Sequence, residues 1–377
     1  MKITKRQSNF ELLRILAMIL IIIHHIFVHA ITPEMNSMRI YGPGEMFNNL
    51  LFYKRLSLMD FGYAFGKIGV ALFILITGYF LCSKKDLKIS NRIFKIIKQM
   101  IFTVLLLIGV SILYNKFIDN SFAYILDITT FYDEWWFICY YFLIIIIANY
   151  FINKKISKLS QKEYLILLIS LFVIVTFSFS YVLLSDISYH LQVLMAGIFY
   201  FLLGGYLKKY NPFKNIKGFV FIFIIIFTLI MLYISYRNRT LSNINYILST
   251  NSSFSNYQST FGYYYEGSIT VMLIAVSLFE LFTRINIKNS KIINYVSSAM
   301  FMTYLIHDND FVRDLFRIID WIPLYNSNMK LFLVYFVGVV LIVLTCGIVS
   351  YTIYNLIINV FQTDRFKSLI YKKTTKK

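Results

Sequence analysis

The 377-residue chain is short of nearly everything a water-soluble domain relies on: 15% of its residues are charged, prolines number 4 and cysteines 3. Against 58% hydrophobic residues and a mean hydropathy of +0.67, that shortage of charge excludes an ordinary soluble globular fold and a disordered chain alike. Cys82, Cys139 and Cys346 form no CxxC pair, which argues against a disulfide framework and a thiol redox motif, so they read as packing residues. The scarcity of proline leaves no paired helix interruptions of the kind that broken-helix transporters carry in two halves. Five histidines without carboxylates or thiols in ligand spacing give no expectation of a bound metal, although His25 and His29, four apart, share a helix face.

Acidic residues are also few, 18 against 37 Lys and Arg, for a net charge of +19. Such a balance can signal a nucleic-acid partner, so its distribution has to decide. Apolar runs long enough to cross about 30 Å of hydrocarbon recur down the chain. They predict spans at 10–31, 65–83, 100–118, 135–153, 164–184, 190–207, 218–236, 263–283, 290–306 and 331–361. With an intracellular N-terminus, the inner segments hold 26 of the 37 basic residues and the outer ones 12 of the 18 acidic residues. The charge is therefore a topological signal, placing both termini in the cytoplasm, and no nucleic acid is expected. The expected fold is an all-α integral membrane protein, a bundle of about ten transmembrane helices, with residues 1–377 as a single domain. The longest external segments, 32–64, 237–262 and 307–330, are too short for a core of their own.

The first hydrophobic segment, "NFELLRILAMILIIIHHIFVHA" (9–30), has the outline of a cleaved leader, but Glu11 and Arg14 at its mouth and His24 and His25 near its far end argue against one. An ionisable group inside a span costs from about 2.5 to more than 10 kcal/mol and is by default a functional candidate. Arg14 and His25 are eleven residues apart, three turns plus about 20°, so they point the same way about 16 Å apart along the axis. Glu11 and His29 fall within about 60° of Arg14, which makes a polar stripe, whereas His24 faces about 80° away from His25 and reads as packing. An arginine near the inner mouth can hold an anion through its fork, and an imidazole farther along can accept a proton from a hydroxyl.

Further along, "GVALFILITGYFL" (69–81) carries Thr77-Gly78-Tyr79, where the glycine allows close helix approach. "SKKDLKISNRIFKIIKQM" (83–100) is basic and amphipathic, with Arg92, Lys95 and Lys98 at i, i+3, i+6; it reads equally as a polyanion site and as an anchor to anionic lipid. "EWWFICYYF" (134–142) puts Trp135 and Trp136 where an interfacial aromatic belt belongs. "MTYLIHDND" (302–310) sets His307 at an external helix end beside Asp308 and Asp310.

In this order the segments resemble acyltransferase family 3, the membrane O-acetyltransferases of bacterial surface polysaccharides and their relatives. The resemblance rests on Leu13-Arg14 followed by His25, on "GVALFILITGYFL" with Thr77 where serine is usual, and on Arg92-Ile-Phe-Lys95 where a second arginine is usual. "WWF", "LLGGYLKK" and "YLIH" add to it. The resemblance implies transfer of an acyl group, usually acetyl, from cytoplasmic acetyl-CoA to a hydroxyl of a surface or lipid-linked polysaccharide, in the bacterial cytoplasmic membrane. It implies catalytic roles for Arg14 and His25 and donor binding at Arg14, Arg92, Lys95 and Lys98, with Glu11, His307 and Asp308 in support. Lysine at position 95 keeps the charge and loses the bidentate fork. The alternatives are a flippase or transporter of lipid-linked sugars, or a polysaccharide polymerase.

Overall fold

In the computed structural model, residues 6–37, 61–118, 134–177, 185–250 and 267–362 are described, and among them the chain is helical with no strand. The external segment 32–64, the ends of the spans expected at 164–184 and 263–283, and the basic segment 363–377 lie wholly or partly outside these residues.

The chain opens with α1 (Ser8–Ile26), a π-helical turn (Phe27–Ile31) and α2 (Thr32–Ser37). Next come α3 (Ala64–Leu81), α4 (Ile89–Phe117), and α5 (Trp136–Ile147), which runs through a π turn into the short α6 (Asn153–Ile156). The central part holds α7 (Gln161–Phe177), α8 (Ser185–Tyr210) and α9 (Gly218–Thr250). The last part holds α10 (Ile269–Arg284), α11 (Lys291–His307), the short α12 (Asp310–Phe316) and α13 (Trp321–Ser327), and α14 (Met329–Gln362). Seven helical stretches among the described residues are long and apolar enough to cross a membrane. α7, α10 and α11 stand at the three remaining expected spans and are 17, 16 and 17 residues long.

The basic amphipathic segment 83–100 is helical from Ile89, where it forms the first turns of α4 ahead of the apolar run. One expectation is corrected here. The span at 218–236 was expected to end in an external loop, but its helix continues to Thr250. In both places backbone hydrogen bonding carries the helix past the point where hydropathy falls. Hydropathy reports what lipid tolerates, not where a helix ends.

α1 and α3 lie at the centre: α1 packs on α3 and α11, and α3 packs on α8 and α10. Leu13, Ala17, Ile22 and Ile26 of α1 are fully enclosed, as are Leu72, Ile74, Leu75 and Ile76 of α3. Outward, large apolar side chains such as Leu105, Phe223 and Leu341 stand open, as a lipid-facing surface requires. Between helices in lipid the hydrophobic effect drives little, so close packing has to do the work, and α3 and α8 meet backbone to backbone. A Cβ at Gly78 would strike the Phe201 carbonyl, and one at Gly204 the Leu75 carbonyl.

Because these obstacles are backbone atoms, no side-chain movement relieves them. Gly78→Ala should therefore lower stability by about 1–3 kcal/mol, the range for overpacking. Thermal unfolding of the purified protein in detergent checks this, and an unchanged midpoint would show that α3 and α8 are free to move apart.

Candidate functional site

Arg14 is held by a carboxylate one turn back. Its Nη1 donates to Glu11 Oε1 at 2.6 Å, while Ser297 on α11 donates to Glu11 Oε2 at 2.6 Å. Glu11 is buried, so without these partners it would be an uncompensated charge in a low-dielectric setting. The Arg14 guanidinium carbon also stands 5.7 Å from the centre of the Phe80 ring.

Three turns along, His25 meets α11. His307 Nδ1 lies 2.8 Å from the Thr303 carbonyl oxygen, which only accepts, so that nitrogen carries the proton. In the neutral ring His307 Nε2 is then an acceptor, and it lies 3.0 Å from His25 Nδ1. His25 Nδ1–H therefore donates to His307, leaving His25 Nε2 as the unprotonated nitrogen. Asp308 Oδ1 is 3.3 Å from the same Nδ1 and accepts from Arg313 Nη2 at 2.6 Å. The turn that carries His307 and Asp308 is fixed by Glu134, whose carboxylate accepts from Asn309 Nδ2 at 2.8 Å and from the Asp310 backbone N–H at 2.9 Å.

A cavity of about 660 Å³ joins these two places. Arg6, Arg14, Arg92 and Lys95 line it, and so do His24, His25, Lys67 and His190. Since Arg14 and His25 both border it, it follows α1 for about 16 Å. Val70, Phe73, Thr77 and Tyr141 are among the walls between. Arg92 Nε donates to the Leu87 carbonyl at 2.7 Å, which orients that guanidinium.

Of the residues expected at the site, Arg14, His25, Arg92 and Lys95 line the one cavity, and Glu11, His307 and Asp308 touch its members. Lys98 does not join them: it is exposed and outside the lining, because six residues turn it about 120° from Arg92. His24 was expected to be packing alone. Its Nδ1 is 2.8 Å from the Tyr63 carbonyl oxygen and its ring lies against Gly66, yet it also borders the cavity. Trp135 is no interfacial belt residue: it is buried, with its indole N–H on the Leu305 carbonyl at 3.2 Å. Trp136 does line the cavity, with the Lys67 ammonium 6.0 Å from the centre of its ring.

His29 stays on the stripe, its ring 5.3 Å from that of His25, but does not line the cavity. His25, His29 and Asp308 place one ligand atom each within 4.8 Å of one another, a grouping that spacing along the chain hides. The Arg313 guanidinium already occupies the Asp308 oxygen and adds positive charge there, so the geometry favours a hydrogen-bond network over a cation site. Sequence reasoning also missed Arg6, Glu134 and Arg313. Only Arg313 left a signal, the charge run "DNDFVRD".

Burial raises the Glu134 carboxyl to about 7, helped by the nearby Asp310 charge and opposed by its two hydrogen bonds and Arg313. Burial also raises Asp308 to about 6 against the pull of Arg313. A carboxyl raised on folding contributes stability that is present below its unfolded value and is lost as pH rises through the folded one. Stability should accordingly decline between about pH 5 and pH 7, and Glu134→Gln should make that decline shallower. Thermal midpoints across this range check the prediction, and an unchanged slope in the variant would remove Glu134 from the account.

Among curated proteins and among solved structures, none matches the chain. Residues 7–352 match acyltransferase family 3, described as an acyltransferase domain, and this covers most of the 377 residues. With seven helices among the described residues long and apolar enough to cross a membrane, and the cavity that joins Arg14 to His25, the chain belongs to acyltransferase family 3, the membrane acyltransferases.

Proposed function

We propose that this acyltransferase moves an acyl group, acetyl in the simplest case, from acyl-CoA to a hydroxyl of a surface or lipid-linked polysaccharide. The observation that carries the reading is a cavity that holds both a cluster of cations, Arg6, Arg14, Arg92 and Lys95, and a tautomer-locked imidazole three turns away. The excess of basic residues on the inner segments turns the Arg14 end toward the cytoplasm, where acyl-CoA is found.

The donor's diphosphate sits on the four cations, with Lys95 acting as a point charge and the arginines as forks. Its extended arm follows the Val70–Phe73–Thr77 wall toward His25. There His25 Nε2 takes the proton of the acceptor hydroxyl, and that oxygen attacks the thioester carbon. A C–O bond forms, the C–S bond breaks, and the proton passes from His25 to the departing thiolate. Asp308, 3.3 Å from Nδ1, stabilises the imidazolium that exists between the two transfers. The acceptor approaches from the end bearing Lys67, Trp136 and His190.

His25→Ala should reduce transfer by at least ~100-fold, the lower bound for a positioned general base, while the protein remains in the membrane at normal abundance. Proton NMR of the surface glycan reads this as loss of the O-acetyl signal, and unaltered acetylation would sink the assignment. His307→Ala should cost less than His25→Ala and should shift the pH profile of transfer, because the His25 tautomer is no longer imposed. A fall in rate with an unmoved profile would mean that His307 only fills space.

A further inference from the structure

A second cavity, of about 320 Å³, opens where the ends of α3, α8 and α10 converge. Tyr79 and Phe279 form aromatic walls, and Lys208, Lys214 and Arg284 supply positive charge. The role assigned to the main cavity uses none of them.

The pocket has a built frame. Arg284 donates to the Ile216 carbonyl at 2.7 Å and the Phe213 carbonyl at 2.8 Å, and it reaches Glu280 at 3.4 Å. These bonds tie the turn after α8 to the end of α10 and hold Lys214 at the pocket. Asn211 begins the turn with φ 41°, a left-handed conformation that asparagine tolerates better than most residues.

The lysines are different, since Arg284 is already engaged. Lys208 has the faces of Tyr79 and Phe80 beneath it, at 5.5 and 5.8 Å, and among the described residues no carboxylate within ion-pairing distance. Lys214 likewise has no ion pair among them. Both side chains are exposed, and an ammonium on an aromatic face with no counter-ion among the described residues is open to an anion.

The two cavities are electrically joined. Arg14 stands 5.7 Å from the same Phe80 ring centre as Lys208, so the two cations are within 11.5 Å of each other. Lys84 completes the connection: its ammonium is pushed below the ordinary lysine value by partial burial and then by the charges of Arg92 and Lys208. One electropositive region thus runs from the main cavity into the second pocket.

We propose that the second pocket seats the base and ribose phosphate of the acyl donor's nucleotide, while the diphosphate lies toward Arg14 and Arg92. This rests on the donor reading above and deepens it. An adenine ring matches the Tyr79 and Phe279 walls, and a phosphate monoester matches the Lys208 and Lys214 ammonium groups. A lipid headgroup offers phosphate as well, but it brings no base to the aromatic walls.

The test uses the full-length protein in detergent, with thermal stabilisation as the readout and three probes: adenosine 3′,5′-bisphosphate, AMP, and phosphatidylglycerol micelles. The bisphosphate should stabilise the wild type more than AMP does. That shift should be lost in Lys208→Gln/Lys214→Gln and kept in Lys208→Arg/Lys214→Arg, which retains the charge. Equal shifts in wild type and the glutamine variant, or stabilisation by phosphatidylglycerol alone, would overturn the proposal. Acetyl-CoA as a fourth probe separates the two readings. If it stabilises both proteins equally, the donor reading stands and the nucleotide seat falls; if it stabilises neither, the donor reading itself has failed.

Discussion

The hydrogen bond from His25 to His307 is the constraint on which the site depends. It joins α1 to α11 at one end of their contact, while Glu11 with Ser297 joins them at the other. In an environment that offers no water to polar groups, each of these side chains needs its partner, so the two contacts fix both the rotation and the height of α1 against α11. Between them the seam is apolar, with Ala17 and Met300 buried. Set at that angle, α1 turns Arg14 and His25 into the same cavity.

The outer cluster solves a problem that the first creates. To hold His307 at the helix end, the chain after it must turn while buried, and its backbone and carboxylates must be satisfied there. Glu134 does this from α5's side by taking the Asn309 amide and the Asp310 N–H, and Arg313 does it from α12 by reaching both Asp308 and Asp310. The raised acids Glu134 and Asp308 are the cost of placing those charges away from water. What results is an imidazole with a defined tautomer and a carboxylate beside it, assembled from three separate parts of the chain.

Much of this was legible in the sequence, and the limits have physical reasons. Each of the ten expected spans has a helix, because the burial of apolar side chains and the hydropathy of spans are both local properties of the chain. The stripe on α1 was legible because helical rotation is regular over eleven residues. Lys98 lies outside the cavity lining because a face defined by three cations drifts as it climbs. Trp135 was misplaced because Trp at a span end has two possible destinations, the lipid interface and a carbonyl in the core, and the Leu305 carbonyl comes from a helix 170 residues away. The joining of His25 to His307 and Asp308 is likewise a contact between distant segments, which no spacing along the chain encodes.

Arg14 illustrates how the site reconciles fold and chemistry. An unpaired guanidinium at that depth would be costly, and Glu11 offsets its charge. A guanidinium has five donors, and Glu11 uses Nη1, which leaves the rest of the fork for a ligand. The net attraction for an incoming polyanion then comes chiefly from Arg6, Arg92, Lys95 and Lys208, none of which is ion-paired with a carboxylate among the described residues. Arg14 contributes direction more than charge: held against Phe80 and Glu11, it presents its donors at one angle to whatever enters. A lysine in its place could balance Glu11 but could not do both things at once, which is the physical reason for arginine at this position.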